Sequence, residues 1–322
     1  MIFPGVPATT DAYKSTTPIT APAAKAVTME LYSASSAERD STASVAVPEG
    51  LKTASPVKMS IDSTDLTPDT VAADAARAAA TSFTSKSYWG SAETVPPGQP
   101  KVTPAGTVPQ PTEAAKSPVP ALAALPSASF AYWPTGNTRS VSGKVPRAEG
   151  TYTLTTSFTG GTTVTLEKEQ GFLHSVELAG LRHKNDFAKP IKITWSPVAN
   201  ALAYVVTADG GTKDVTITWT SSSNPDAVAG VQTRPFTKEE VASNIEKGIF
   251  LSEKTTTCII PAGIFAGTDS AFLTVTAIGT DKIQETDGIQ TRVIVRSIVS
   301  APLAGASYKP AAGMEDKPEE GK

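Results

Sequence analysis

The sequence predicts an all-β protein, built around a β-sandwich with one short inserted helix, a smaller N-terminal β unit and Pro/Ala-rich linkers. Three observations carry this. From about Ser127 onward, segment after segment is rich in Thr, Val and Ile and alternates apolar with polar residues, the period of a half-buried strand. Gly, Asp and Pro punctuate those segments at short intervals, as in sandwiches and barrels. The chain also carries 26 prolines and 23 glycines among 322 residues with 39% hydrophobic content, which fits a modest core joined by much loop.

Residues 1–25 are rich in Pro, Ala and Thr and read as a flexible arm. A small β unit follows at 26–104, with strand-like "AVTMELYSAS" (26–35), "ASVAVPEGL" (43–51) and "SPVKMSID" (55–62). Within it, "LTPDTVAADAARAAAT" (66–81) reads as a helix capped by Thr67 with Pro68 at its first position, or equally as an unpacked linker. "SYWGSAETVPPGQPKV" (87–102) reads as a strand end pinned by Tyr88 and Trp89, after which three prolines carry the chain out of the sheet. Residues 105–126 form a Pro/Ala linker of extended, polyproline character.

The sandwich is expected at 127–302, with strands in "SFAYWP" (129–134), "TYTLTTSF" (151–158), "TTVTLEKE" (162–169), "GFLHSVEL" (171–178), "IKITWSPV" (191–198), "AYVVTAD" (203–209), "DVTITWTS" (214–221), "KTTTCIIP" (254–261), "AFLTVTAIG" (271–279) and "TRVIVRSIV" (291–299). "TGGT" (159–162) and "DGGT" (209–212) read as hairpin turns. In "PFTKEEVASNIEKG" (235–248), Thr237 and Glu240 form a capping box, Phe236 and Val241 a hydrophobic staple, and Gly248 a stop. Val241, Ile245 and Ile249 share the face that should pack on the sandwich, and Trp219 is expected to be buried against this helix. The tail, 303–322, is polar and reads as disordered.

Two resemblances follow from these residues. "KITWSPVANALAYVVTADG" and "KTTTCIIPAGIFAGTDSAFLTVTAIG" make the region 186–300 resemble a fibronectin type III domain. The resemblance implies Trp195 as the buried tryptophan of strand B, Tyr204 and Val206 pointing inward from strand C, and Leu273, Val275 and Ala277 from strand F. Ala271 stands where the family usually opens strand F with tyrosine. Residues 211–250 would be an insertion between strands C and E. More widely, "VAVPEGL", "SPVKMSID", "SYWGSAETVPPGQPKV", "FAYWP", "GTYTL" and "ITWSPVANALAY", in this order, resemble a group of uncharacterised exported proteins of Gram-negative bacteria. That likeness implies an envelope or secreted location and two β units, and supplies no activity.

Composition narrows the function. A net charge of −3 without basic clusters argues against nucleic acid, and no run approaches the roughly 18–20 apolar residues of a membrane helix. "MIFPGVPATTDAYKS" has no signal-peptide pattern, so an extracytoplasmic location assumes a leader absent from this chain. One cysteine, Cys258, excludes an internal disulfide and reads as a buried apolar side chain. No catalytic, cofactor or metal residue is assigned. A hydrolase reading would have to rest on His174 or His183, the only two histidines, without a nucleophile-elbow or metal motif around them. Asp281, Glu285 and Asp287 form an oxygen-rich stretch, but at no calcium-loop spacing. The leading expectation is a non-catalytic envelope or secreted protein with a structural or protein-binding role, its partner being itself or another envelope protein. The alternative is a glycan-binding module using the paired aromatics Tyr88, Trp89, Tyr132 and Trp133, whose flat amphipathic rings suit sugar faces.

Overall fold

The computed structural model describes residues 27, 29–33, 35–62, 84–105, 129–133, 147–179, 181, 185–286 and 289–305. The expected arm, the 66–81 helix, nearly all of the Pro/Ala linker and most of the tail lie outside these residues. The described part is predominantly β, with one α-helix.

Two sheets enclose the larger core. One has the order β10 (Leu178–Ala179), β11 (Ile191–Trp195), β15 (Thr257–Ile260). The other runs β19 (Arg296–Ala304), β16 (Ser270–Ile278), β12 (Ala203–Gly211), β13 (Val215–Thr220), β5 (Thr84–Trp89), β6 (Lys101–Thr103), with β14 (Leu251–Ser252) paired to the start of β12. Alternation explains the layering. Ile191, Ile193 and Trp195 point inward from β11, and Ala271, Leu273, Val275 and Ala277 from β16, all into one buried cluster, while Lys192 and Phe272 face water. Trp195 meets Tyr204 edge-on at 5.4 Å, and Tyr204 Oη accepts a hydrogen bond from Val198 N at 2.8 Å.

A smaller core lies between β1 (Met29–Ser33), β7 (Ser129–Trp133) and β4 (Ser60–Asp62) on one side and β3 (Val57–Lys58), β2 (Ala43–Ala46), β8 (Gly150–Thr156) and β9 (Gly161–Leu166) on the other. The hairpin of β17 (Lys282–Thr286) and β18 (Ile289–Val293) reaches this body from the sandwich. Lys282 Nζ donates to Thr165 O at 2.7 Å and Gln284 Nε2 to Thr163 O at 3.0 Å along β9.

The strand pairing crosses the boundary expected between 26–104 and 127–302. β7, β8 and β9 belong with β1–β4, while β5 and β6 join the large sheet, β5 running parallel to β13 from Val215↔Thr84 to Thr220↔Trp89. A local pattern identifies a strand but not its partner, and the partners of β1, β2, β4 and β5 lie about 70 to 130 residues away. "GFLHSVEL" is mostly irregular, only Leu178 pairing, and the strand expected at 291–299 is two, broken at residues 294–295.

The 87–102 stretch is therefore not an exit from a sheet. Gln99 acts as a surrogate peptide unit: its Oε1 accepts from Trp89 N and its Nε2 donates to Trp89 O, both at 2.9 Å, which extends the β5–β6 ladder. Beyond the turn at Gly90 (φ 86°), Gly90 N donates to Thr220 O, Ser91 Oγ accepts from Ile259 N, and Glu93 O accepts from Ala262 N. This loop stitches β13 of one sheet to β15 and the residues after it, closing one open side of the sandwich.

The helix α1 (Lys238–Glu246) forms as expected, with both arms of the capping box made: Glu240 N to Thr237 Oγ1 at 3.1 Å and Thr237 N to Glu240 Oε2 at 2.9 Å. Phe236 and Val241 are buried with Ala203, Val205, Phe250 and Ile278, so the helix covers one end of the outer face of the large sheet. Trp219 is not among them. It lies in the sandwich core, its Nε1 donating to Gly90 O at 3.0 Å. β13 is thus part of the sheet, and the inserted segment is 221–250 rather than 211–250. At "DGGT" both glycines sit within β12, where a Cβ on Gly211 would stand 2.3 Å from Val215 O. Close backbone approach, not a positive φ, requires glycine there.

Candidate functional site

The four aromatics singled out by sequence are not brought together. Tyr88 and Trp89 are on β5 of the large sheet, Tyr132 and Trp133 on β7 of the small one. All four are half-buried. Adjacent residues on a strand face opposite ways, so each pair divides: Tyr88 packs on the sandwich core and Trp133 on the small core, while Trp89 and Tyr132 face outward.

Around Tyr132 the outward face holds more than the sequence suggested. Phe130 and Tyr132 stack at 5.4 Å and 19°, and Tyr32 on β1, paired opposite Phe130, lies 4.8 Å from that ring. Tyr32 Oη donates to Glu30 Oε2 at 3.1 Å, and burial, with the Glu30 charge, pushes its pKa up to about 12. Alternation in "ELY" and "FAY" contained this row, but only the β1–β7 register joins the two segments.

The outer face of the large sheet is rich in hydroxyls. Thr207, Thr216, Thr218, Ser85, Ser87, Thr274 and Ser300 alternate with the inward core residues, and Thr218 bonds Ser87 at 3.1 Å and Thr274 bonds Ser300 at 2.9 Å. Two large apolar side chains break this polar field beside the β19 edge: Phe272, 61% exposed, and Ile298, 46% exposed.

The titratable candidates are committed elsewhere. Asp281 does not face a calcium loop. Its fully buried carboxylate is held by the 5%-exposed guanidinium of Arg296, through Nη1 at 2.7 Å and Nη2 at 2.8 Å, and it accepts from Val295 N and Phe236 N. Arg296 spends its remaining N–H groups on the carbonyls of Val231, Arg234 and Val295. This hub fastens the inserted segment to β19, and the turn of the chain that delivers Val295 N to Asp281 is what breaks the strand expected at 291–299. Glu285 is exposed, and Asp287 lies outside the described residues. His174 is exposed and makes no hydrogen bond among the described residues, and His183 lies outside them. No group of three or more His, Cys, Asp or Glu side chains suited to a metal occurs among the described residues.

Cys258 is buried in the sandwich, and burial pushes its thiol pKa up from 9.0 to about 12. The thiolate is disfavoured in the folded chain, so this contribution to stability is complete below about pH 9 and fades as pH rises towards 12. Alkylation of the native protein at pH 8 is expected to be at least about tenfold slower than in denaturant. Equal rates, read by mass spectrometry, would place the thiol at the surface.

Fold and site together define an all-β, sandwich-type protein whose solvent-facing features are sheet faces and edges. No family model, no curated protein and no solved structure matches the chain. No described helix is long and apolar enough to cross a membrane.

Proposed function

We propose that this chain is a non-catalytic protein of the cell envelope or secreted space, with a structural or protein-binding role. The observation that carries the reading is the pair Phe272 and Ile298, large apolar side chains exposed on an otherwise hydroxyl-rich sheet face. Exposed apolar side chains set in a polar surround are what protein interfaces use. The commitment of Asp281 to Arg296 and the raised pKa of Cys258 support a non-catalytic reading. We also propose that the sandwich is of fibronectin III type: β11 and β15, the expected strands B and E, share one sheet, and β12 and β16, the expected C and F, the other. A second reading, glycan binding, is favoured by the row Tyr32, Phe130 and Tyr132 with the Glu30 carboxylate beside it.

The test immobilises the full chain and asks what it retains from an envelope extract and from a panel of soluble glycans. A protein retained by the wild type and lost with Phe272→Asp is the expected result. Glycan retention lost with Tyr132→Ala instead would replace it with the second reading. Turnover of an ester, amide or glycoside that His174→Ala abolishes would overturn both.

A further inference from the structure

We infer that the pair Phe272 and Asp209, on the outer face of the large sheet, takes an arginine side chain of a partner protein, its guanidinium stacked on the ring and paired with the carboxylate. The inference rests on the protein-binding reading and names what the partner must present.

Register places the two residues together. Phe272 on β16 stands directly opposite Asp209 on β12, so both exposed side chains leave the sheet on one face, with Cβ atoms about 4.5–5.5 Å apart. Thr218 on β13 is opposite Asp209 on its other side, and Pro302 on β19 is opposite Phe272. One row across four strands therefore runs Pro302, Phe272, Asp209, Thr218. Thr218 donates its O–H to Ser87 at 3.1 Å, which leaves the oxygen beside Asp209 as an acceptor.

The Asp209 carboxylate lacks a counter-charge. It makes no hydrogen bond or ion pair among the described residues. The surrounding sheet screens it from water enough to raise its pKa, and no neighbouring cation lowers it again. Lys101, farther along the same face on β6, is already bound to Asp226 at 2.7 Å. Lys213, in the turn between β12 and β13, lies 4.0 Å from Asp214. A carboxylate in this state is stabilised by a cation brought to it.

The chain itself shows which cation suits a ring beside a carboxylate. Arg234 lies 3.9 Å from the centroid of Phe236 and bonds Glu240 at 3.1 Å. Arg296 lies 5.4 Å from the same centroid and bonds Asp281 at 2.7 Å. Phe272 and Asp209 repeat the ring and the carboxylate at the surface, where a partner can bring the guanidinium. A planar guanidinium can lie on a ring and present its fork to a carboxylate at once, which the compact ammonium of lysine cannot.

Fluorescence anisotropy of the full chain reads this with labelled octapeptides that alternate leucine with arginine, lysine or citrulline. Citrulline keeps the shape of arginine without its charge. The arginine peptide is expected to bind tightest and the citrulline peptide about tenfold more weakly, since exposed ion pairs and ring contacts each contribute about two- to fivefold. Asp209→Asn is expected to remove most of the difference between arginine and citrulline. Phe272→Ala is expected to weaken the arginine peptide by about two- to fivefold. Glu285→Gln, which removes an exposed carboxylate on the β17–β18 hairpin, is expected to bind as the wild type does, which separates the pair from the net charge of −3. Equal binding of the three peptides overturns the inference, as does an arginine preference that survives Asp209→Asn. If it is overturned while the wild type still retains a protein through Phe272, the binding reading stands; if nothing is retained, both fall. A wild type that ignores the peptides and associates with itself through Phe272 gives the face to a second copy and also overturns the inference.

Discussion

Asp281→Ala is expected to destabilise the fold by about 3–5 kcal/mol, the usual cost of removing one partner from a buried ion pair. The substitution strands the Arg296 guanidinium, 5% exposed, without a counter-charge. It also removes the acceptor from Phe236 N and Val295 N, so orphaned donors add to the stranded charge. The loss is not shared evenly, because the hub ties the inserted helix to β19, and that region should loosen first. Urea titration followed by circular dichroism measures the loss, and hydrogen exchange locates it. Replacing both partners, as Asp281→Leu with Arg296→Met, should cost less than Asp281→Ala alone, since no charge is then left buried. A single-variant effect within about 0.5 kcal/mol of wild type would mark the pair as no more important than an exposed one.

Trp219→Ala is expected to cost a similar 3–5 kcal/mol through the cavity it opens in the sandwich core. The indole is buried, and its Nε1–H also anchors Gly90 O, the start of the loop that closes the sandwich. Trp219→Phe should recover much of the packing but leave Gly90 O without that donor. Trp195 is the internal comparison. It is buried in the same cluster, yet its Nε1 has no hydrogen-bond partner among the described residues. Trp195→Phe should therefore cost less than Trp219→Phe, in melts of the two variants under one condition. The reverse order would show that ring volume, not the Nε1 bond, governs both sites.

The strands were legible where one face is buried and the other wet. Ile191, Ile193 and Trp195 announce β11, and Leu273, Val275 and Ala277 announce β16, because period two leaves few other ways to bury those side chains. The capping box of α1 was legible for the same local reason: Thr237 and Glu240 are three residues apart and satisfy each other. Partnership was not legible. Thr84–Trp89 has no fully buried position, so nothing in it indicates which sheet it joins, and the Gln99 clamp uses a side chain as backbone. The sequence places Trp219 against the helix, whereas its real neighbours are set by the β12–β13 register. Of the outward aromatics, Tyr132 stands out in the sequence beside Trp133, but Tyr32 and Phe130 do not, since the row exists only once β1 lies against β7. Asp281 looked like a loop carboxylate because its partner is 15 residues further on, across a turn.

The parallel seating of β5 on β13 has a consequence for the order of assembly. Met29 pairs with Trp133, Ala43 with Thr156 and Ser87 bonds Thr218 at a separation of 131 residues. As the chain emerges from its N-terminus, most of the early strands must wait for mates synthesised much later. Distant closures of this kind are slow, because chain entropy is lost before contacts repay it. Strands β1, β2, β4 and β5 thus lack the mates that complete their sheets until residues 129–220 have been made.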